Sequence, residues 1–196
     1  MPDASQFGDL MRRVRNRDEA AARDLVARYE ATIRRVIRIR LRDANLRRLL
    51  DSTDICQSVL TSFFVRTAMG QYDLETPEQL VGLLSTIARN KLANQANRLR
   101  AGRRDVRRDA ADGEQAERVP DDATDPGEQA ASRELLEKVR GGLDEQERYL
   151  ADQRALGRTW QDLADEVGGT DVALRKKLAR ALDRVVTNLG IGDGDA

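Results

Sequence analysis

The sequence predicts an all-α protein built from two small helical domains, a helical bundle and a helix-turn-helix domain, joined by a flexible acidic linker. Three observations predict this arrangement. Charged residues make up 35% of the 196 residues and aromatic residues only 4%, a composition that favours helices over β-sandwiches. Apolar residues recur at helical spacing in several segments, and acidic residues are concentrated in one segment between them. A chain of this length can form one or two domains with their own cores.

The formal net charge of zero conceals a separation of charge along the chain. Residues 1–108 contain 22 basic and 13 acidic residues (net +9), residues 109–149 contain 5 and 13 (net −8), and residues 150–196 contain 7 and 8 (net −1). Within the acidic part, residues 109–131 include two prolines and have no apolar side chain larger than valine. Such a segment cannot bury enough apolar surface to offset its ordering entropy, so we expect a flexible linker. The predicted domains are therefore residues 1–108 and residues 132–196.

Three apolar stripes at helical spacing are predicted to form the first domain. The first follows Asp18 and has arginines on its opposite face. The second follows residues 51–54, whose polar side chains are suited to capping a helix. The third opens at residues 76–78, with a proline near its first turn, and its apolar face extends to Leu92.

The end of the third predicted helix is basic and rich in amides. Guanidinium groups neutralise phosphates, and Asn and Gln side chains both donate and accept hydrogen bonds, so this density is typical of a nucleic-acid-binding surface. A solvated helix end is the alternative interpretation. Asp105 is the only carboxylate between Glu78 and Asp109. The basic and amide side chains concerned include Arg89, Asn90, Lys91, Asn94, Gln95, Asn97, Arg98, Arg100, Arg103 and Arg104.

The second domain contains a short apolar stripe, a Gly-Gly pair and a longer stripe with a basic opposite face. Trp160 to Val167 form the short stripe after a capping Thr159, and Thr170 can cap the longer helix after the glycines. This pattern matches a helix-turn-helix, whose second helix enters the DNA major groove. An ordinary helical hairpin is the alternative. Because Trp160 lies on the apolar stripe, we expect it to pack in the core rather than stack on a base.

The absence of His and the single Cys exclude several kinds of site. Without His there is no Ser-His-Asp or Cys-His nucleophile pair and no His-ligated metal. One Cys cannot form an intramolecular disulfide or a thiolate zinc cage, and we expect Cys56 to be a buried, inert thiol. We therefore expect no enzyme activity, no cofactor and no metal. No signal-like start and no run of eighteen apolar residues are present, so we expect a cytoplasmic protein without a membrane segment.

Four motifs, in order across the acidic segment, resemble bacterial RNA polymerase sigma factors of the extracytoplasmic-function (ECF) group. Residues 51–57 resemble the Asp-Ala-Glu-Asp-Leu-Val-Gln segment of these proteins, and residues 84–90 resemble their Leu-x-x-Ile-Ala-Arg-Asn helix. Residues 160–164 and 175–182 resemble their promoter-reading helix-turn-helix. The resemblance implies a transcription initiation factor that binds the clamp helices and the flap of core RNA polymerase. It also implies capture of the melted minus-ten promoter strand by the first domain and reading of the minus-thirty-five duplex by the second.

The resemblance assigns roles to individual residues. Asp51, Asp54 and Gln57 are expected to contact polymerase. The minus-ten strand is expected to contact Asn90, Lys91, Asn94, Asn97, Arg98 and Arg100, and the minus-thirty-five duplex is expected to contact Thr170, Asp171, Arg175, Lys176, Lys177 and Arg180.

The chain departs from the family pattern where carboxylates would face the polymerase. Thr53 and Ser58 stand where the family usually has Glu, so we expect weaker binding to polymerase. A phosphate on Ser52 or Thr53 would add about −1.5 to −2 charges there, which makes a Ser/Thr kinase a candidate partner beside an anti-sigma factor. Neutral helix capping is the alternative role of these hydroxyls.

For the whole chain, the alternative function is a stand-alone helix-turn-helix repressor or activator, although no dimerisation heptad or ligand domain is evident.

Overall fold

The computed structural model describes residues 4–40, 52–105 and 126–191, with side chains described for residues 5–39, 52–97 and 130–191. All regular secondary structure in these ranges is helical, which confirms the predicted all-α class. The helices are α1 (Ala4–Arg15), α2 (Glu19–Arg40), α3 (Ser52–Ala68), α4 (Pro77–Asp105), α5 (Pro126–Gly141), α6 (Glu145–Ala155), α7 (Trp160–Val167) and α8 (Asp171–Asn188).

Helices α1 to α4 pack into the N-terminal bundle. The predicted stripes form its core, with Leu25 and Ile37 of α2 and Phe63 of α3 fully buried against Leu84 of α4. The sequence reading began at Asp18 and missed α1, which adds a buried stripe of its own: Phe7, Leu10, Met11 and Val14. This stripe follows helical spacing, so its signal was present in the sequence.

Capping residues explain where helices α2 and α4 begin. Asp18 Oδ1 accepts a hydrogen bond from the Ala21 backbone N–H at 3.0 Å at the start of α2. At the start of α4, Thr76 Oγ1 accepts from the Gln79 N–H, with Pro77 as the first helical residue. The predicted opening of this helix is therefore confirmed.

Helices α5 to α8 form the C-terminal domain. Thr159 caps α7 in a reciprocal capping box with Asp162, and the Thr170 hydroxyl accepts from the Ala173 N–H at 3.1 Å to cap α8. Gly168 and Gly169 have φ angles of 83° and 99°, which allow the tight turn between the two helices. These features confirm the predicted helix-turn-helix geometry.

Part of the predicted linker is helical. Residues 109–125 lie outside the described residues, but α5 begins at Pro126, so residues 126–131 of the expected linker are its first turns. The prolines of this segment were part of the reason for predicting a linker. A proline is tolerated in the first turn of a helix, however, so Pro126 does not prevent α5 from starting there.

The two domains are in contact with each other. Val65 and Met69, near the end of α3, are 3% and 2% exposed and belong to the core of the C-terminal domain. Polar contacts described below join the same two domains. The two predicted domains therefore pack together in this structure.

Candidate nucleic-acid and polymerase interfaces

The second helix of the helix-turn-helix, α8, has one buried face and one polar face. Leu174, Leu178 and Leu182 are buried in the C-terminal core. Among the residues expected to read duplex DNA, Thr170, Arg175, Lys176 and Arg180 are exposed, and Asp171 and Lys177 are half-buried. Lys177 Nζ donates to Gln146 Oε1 of α6. Thr170 caps α8, and the other five predicted residues lie within its first ten residues.

A buried carboxylate fixes α8 against α6. Glu147, 4% exposed, accepts from the Asp144 backbone N–H at 2.9 Å, while Asp144 Oδ1 accepts from the Glu147 N–H at 2.7 Å. Arg184 of α8 donates to Glu147 Oε2 at 2.7 Å. One side chain therefore caps α6 and anchors α8, which sets the direction in which the basic face of α8 points.

Trp160 packs in the core of the helix-turn-helix, as its stripe position predicted. It is 3% exposed, and the Arg154 guanidinium carbon lies 4.7 Å from the ring centroid, with that of Arg175 at 6.0 Å. Both distances allow a cation–π attraction. The ring therefore positions two arginines at one edge of the domain.

The residues expected to capture the melted strand lie along the second half of α4. Asn90 and Asn97 are exposed and Asn94 is half-buried. Lys91 is different: it is 2% exposed, and its ammonium donates to the Ile191 carbonyl of the C-terminal domain at 3.3 Å. In this structure the Lys91 ammonium therefore contacts the C-terminal domain, and its contact with DNA stays a prediction. Arg98 and Arg100 belong to α4, but their side chains lie outside the described residues.

The residues expected to contact polymerase lie in the first two turns of α3. Asp54 and Gln57 are exposed, and Ser52 and Thr53 are half-buried in the first turn. Asp51 lies outside the described residues. Cys56, on the inner side of the same helix, is 1% exposed, and burial raises the pKa of its thiol, as expected of an inert core cysteine.

Asp73, in the segment between α3 and α4, is the centre of a polar cluster that joins the domains. Its carboxylate pairs with Arg154 of α6, lies 3.3 Å from Arg15 Nη2 and lies 3.7 Å from Arg175 Nη2. Arg154 Nε also donates to the Gly70 carbonyl at 3.1 Å. Arg175 of α8 therefore shares an anionic partner in the N-terminal domain with two other guanidinium groups.

Arg154 is the buried member of this cluster, with its side chain 3% exposed. Burial lowers the pKa of its guanidinium, and the Asp73 carboxylate raises it in partial compensation. A guanidinium stays protonated at neutral pH despite such a shift, so the cluster holds a buried positive charge.

Sequence reasoning missed Asp73, Gly70 and Arg154. Arg154 and Asp73 are 81 residues apart, and no local pattern predicts their pairing. One signal was available: Arg154 follows the buried Leu150 and Ala151 at helical spacing, so its place on the inner face of α6 could be read from the sequence.

The chain joins a helical bundle to a capped helix-turn-helix whose second helix is basic. This combination is typical of DNA-binding proteins. The family model described as ECF sigma factor matches residues 4–189, and the chain belongs to this family. It is therefore a transcription initiation factor that binds core RNA polymerase and directs it to promoters, and its family is not a class of enzymes. Neither a curated protein nor a solved structure matches the chain. No helix in the described ranges is long and apolar enough to cross a membrane.

Proposed function

We propose that this chain directs polymerase to a two-part promoter, with α8 in the major groove of the minus-thirty-five element and α4 along the melted minus-ten strand. The observation that carries the proposal is the N-terminal part of α8, the first ten residues, which is capped by Thr170 and exposes Lys176 and Arg180 while the opposite face is buried. A helix presented in this way places its N-terminal residues at base edges and phosphates.

Measurements of promoter binding and run-off transcription with core polymerase test the duplex-reading role. We expect Lys176→Gln to weaken promoter binding and to lower the slope of log affinity against log salt by about one unit, because one phosphate contact is lost. Arg133→Gln is the control, since Arg133 is equally exposed but lies on α5. If no genomic promoter supports run-off transcription, the proposal is wrong. If both variants behave alike, α8 is not the reading helix.

The minus-ten role rests on the exposed amides of α4. Asn90 and Asn97 lie seven residues apart, two helical turns along the same side of the helix, and both are exposed. We expect Asn90→Ala and Asn97→Ala to lower promoter opening, measured by permanganate footprinting, without lowering the amount of polymerase bound. Loss of polymerase binding in these variants would assign α4 to the polymerase instead.

The polymerase-binding role is assigned to the start of α3, where Asp54 and Gln57 are exposed. Asp54→Lys should reduce the retention of core polymerase on the immobilised chain, because it reverses a charge on the surface expected to face a basic clamp. Glu137→Lys makes the same charge change at an exposed position of α5 and should retain polymerase. Equal retention by both variants would remove Asp54 from the interface.

Control by a Ser/Thr kinase acting on Ser52 or Thr53 is the regulatory part of the proposal. Both residues lie in the first turn of α3, where a phosphate interacts favourably with the helix dipole and adds negative charge beside Asp54. Thr53→Glu should bind polymerase more tightly than the native chain, and Thr53→Ala should be less active in cells. If neither change has an effect, control by an anti-sigma factor becomes the better explanation.

A further inference from the structure

We propose that Val172 reads a thymine in the minus-thirty-five element, by packing its side chain against the 5-methyl group that thymine presents in the major groove. The inference rests on the proposed function, because it concerns the helix that is expected to enter that groove. It adds the base feature that one named side chain recognises. Three observations carry it: the position of Val172 on α8, its exposure, and the charge of its neighbours.

Val172 lies at the start of the polar face of α8. It is the second residue of the helix, and the Thr170 hydroxyl caps the turn to which it belongs. Lys176 and Arg180 follow it at four-residue steps, and residues four apart lie on the same side of a helix. All three side chains are exposed. Val172, Lys176 and Arg180 therefore form one outward ridge along the first ten residues of α8.

The side chain of Val172 is 53% exposed, although α8 has a separate apolar face. That face begins two residues later, which is about 200° round the helix. Its first three large side chains are buried in the C-terminal core: Leu174, Leu178 and Leu182. Val172 therefore lies opposite the core of its domain, where an apolar side chain is not needed for packing.

Helix stability does not explain a valine at this position either. On the exposed side of a helix a β-branched residue is less favourable than alanine, because its side chain loses rotational freedom against the preceding turn. The same restriction holds the two methyl groups of Val172 in one main orientation, so little further entropy is lost when they contact a partner. Val172 therefore presents a small, rigid apolar surface at the point where α8 is expected to meet DNA.

The major groove offers one apolar group that suits this surface, the 5-methyl group of thymine. The other distinguishing groups at the base edges there donate or accept hydrogen bonds, which a valine side chain cannot do. Residues at the N-terminal end of a recognition helix contact base edges. Because Lys176 and Arg180 continue the same ridge, its charge favours a polyanion over an apolar protein surface as the occupant. We therefore assign Val172 to a thymine rather than to a protein partner.

Replacing thymine with deoxyuridine tests this assignment, because it removes the 5-methyl group and keeps the base pair. The probe is a promoter duplex recovered by sequencing the DNA that the full chain binds with core polymerase. Each thymine in either strand of its minus-thirty-five region is replaced in turn. Burial of one methyl group changes affinity about fourfold, so we expect one replacement to weaken binding of the native chain with polymerase by about three- to fivefold in anisotropy titrations.

Val172→Ala should bind the thymine and deoxyuridine duplexes equally. Alanine is the better helix former, so this variant keeps α8 folded. Leu156→Ala is the matched control: Leu156 is 78% exposed and follows the last residue of α6, so the change removes an exposed apolar side chain and leaves α8 untouched. This control should keep the native preference for thymine.

Several results would overturn the reading of thymine while leaving the proposed function intact. They are a bound minus-thirty-five region without thymine, native binding that no deoxyuridine replacement weakens, and a native preference that Val172→Ala retains. Loss of the preference in Leu156→Ala would overturn it too, because the preference would then not depend on α8. If the full chain with core polymerase binds no promoter at all, the proposed function fails, and the role of Val172 fails with it.

Discussion

Replacing Glu147 with alanine tests whether one buried carboxylate anchors α8 against α6. The substitution leaves the Asp144 N–H without its acceptor and Arg184 without its partner. Loss of one hydrogen bond of the capping box costs about 0.5–1.5 kcal/mol, and loss of a hydrogen bond to a charged group costs about 1.5–3 kcal/mol. Because half of the Arg184 side chain is exposed, solvent screens its ion pair and we take the lower part of that range. We expect a total loss of about 2–3 kcal/mol in the free energy of unfolding.

The fluorescence of Trp160 is the assay for this variant. It is the single tryptophan and is buried in the C-terminal core, so its emission reports unfolding of that domain. A loss of about 2–3 kcal/mol corresponds to a fall of about 10–20 °C in Tm for a domain of this size. Glu145→Ala is the control, because Glu145 is exposed in the first turn of the same helix and contributes only about 0.3–1 kcal/mol through the helix dipole. Equal destabilisation by both variants would refute the anchoring role of Glu147.

Three further predictions concern the cores and the caps. Leu178→Ala removes a fully buried side chain and should cost about 2–5 kcal/mol in urea unfolding, whereas Val172→Ala, 53% exposed, should change stability by less than about 0.5 kcal/mol. Hydrogen bonds from Thr159 lower the pKa of Asp162. The stability that this cap contributes is therefore present at neutral pH and is lost as the pH falls below about 4. Asp162→Asn should remove that part of the acid dependence of unfolding, measured by Trp fluorescence. Iodoacetamide should modify Cys56 slowly in the native chain and rapidly in denaturant, because the thiol is buried and its pKa is raised; equal rates would place the thiol at the surface.

The starts of α2, α4, α7 and α8 could be predicted because their determinants are local. The caps at Thr159 and Thr170 lie three residues from the N–H groups they bond, and the turn needs only two adjacent glycines that adopt positive φ. Patterns of this length are visible in a sequence without knowledge of the fold. The all-α class and the pair of helices α7 and α8 followed from such patterns.

The contacts between the domains could not be predicted in the same way. Lys91 lies in the basic, amide-rich segment that is expected to bind DNA, but charge density does not show that its ammonium contacts the C-terminal domain. Its spacing does show its face of the helix: Lys91 follows the buried Leu84 by seven residues and Ala88 by three, which places it on the inner side of α4. Asp73 gave no signal, since its three partners are distant in sequence. Pairings of this kind depend on how two finished domains meet.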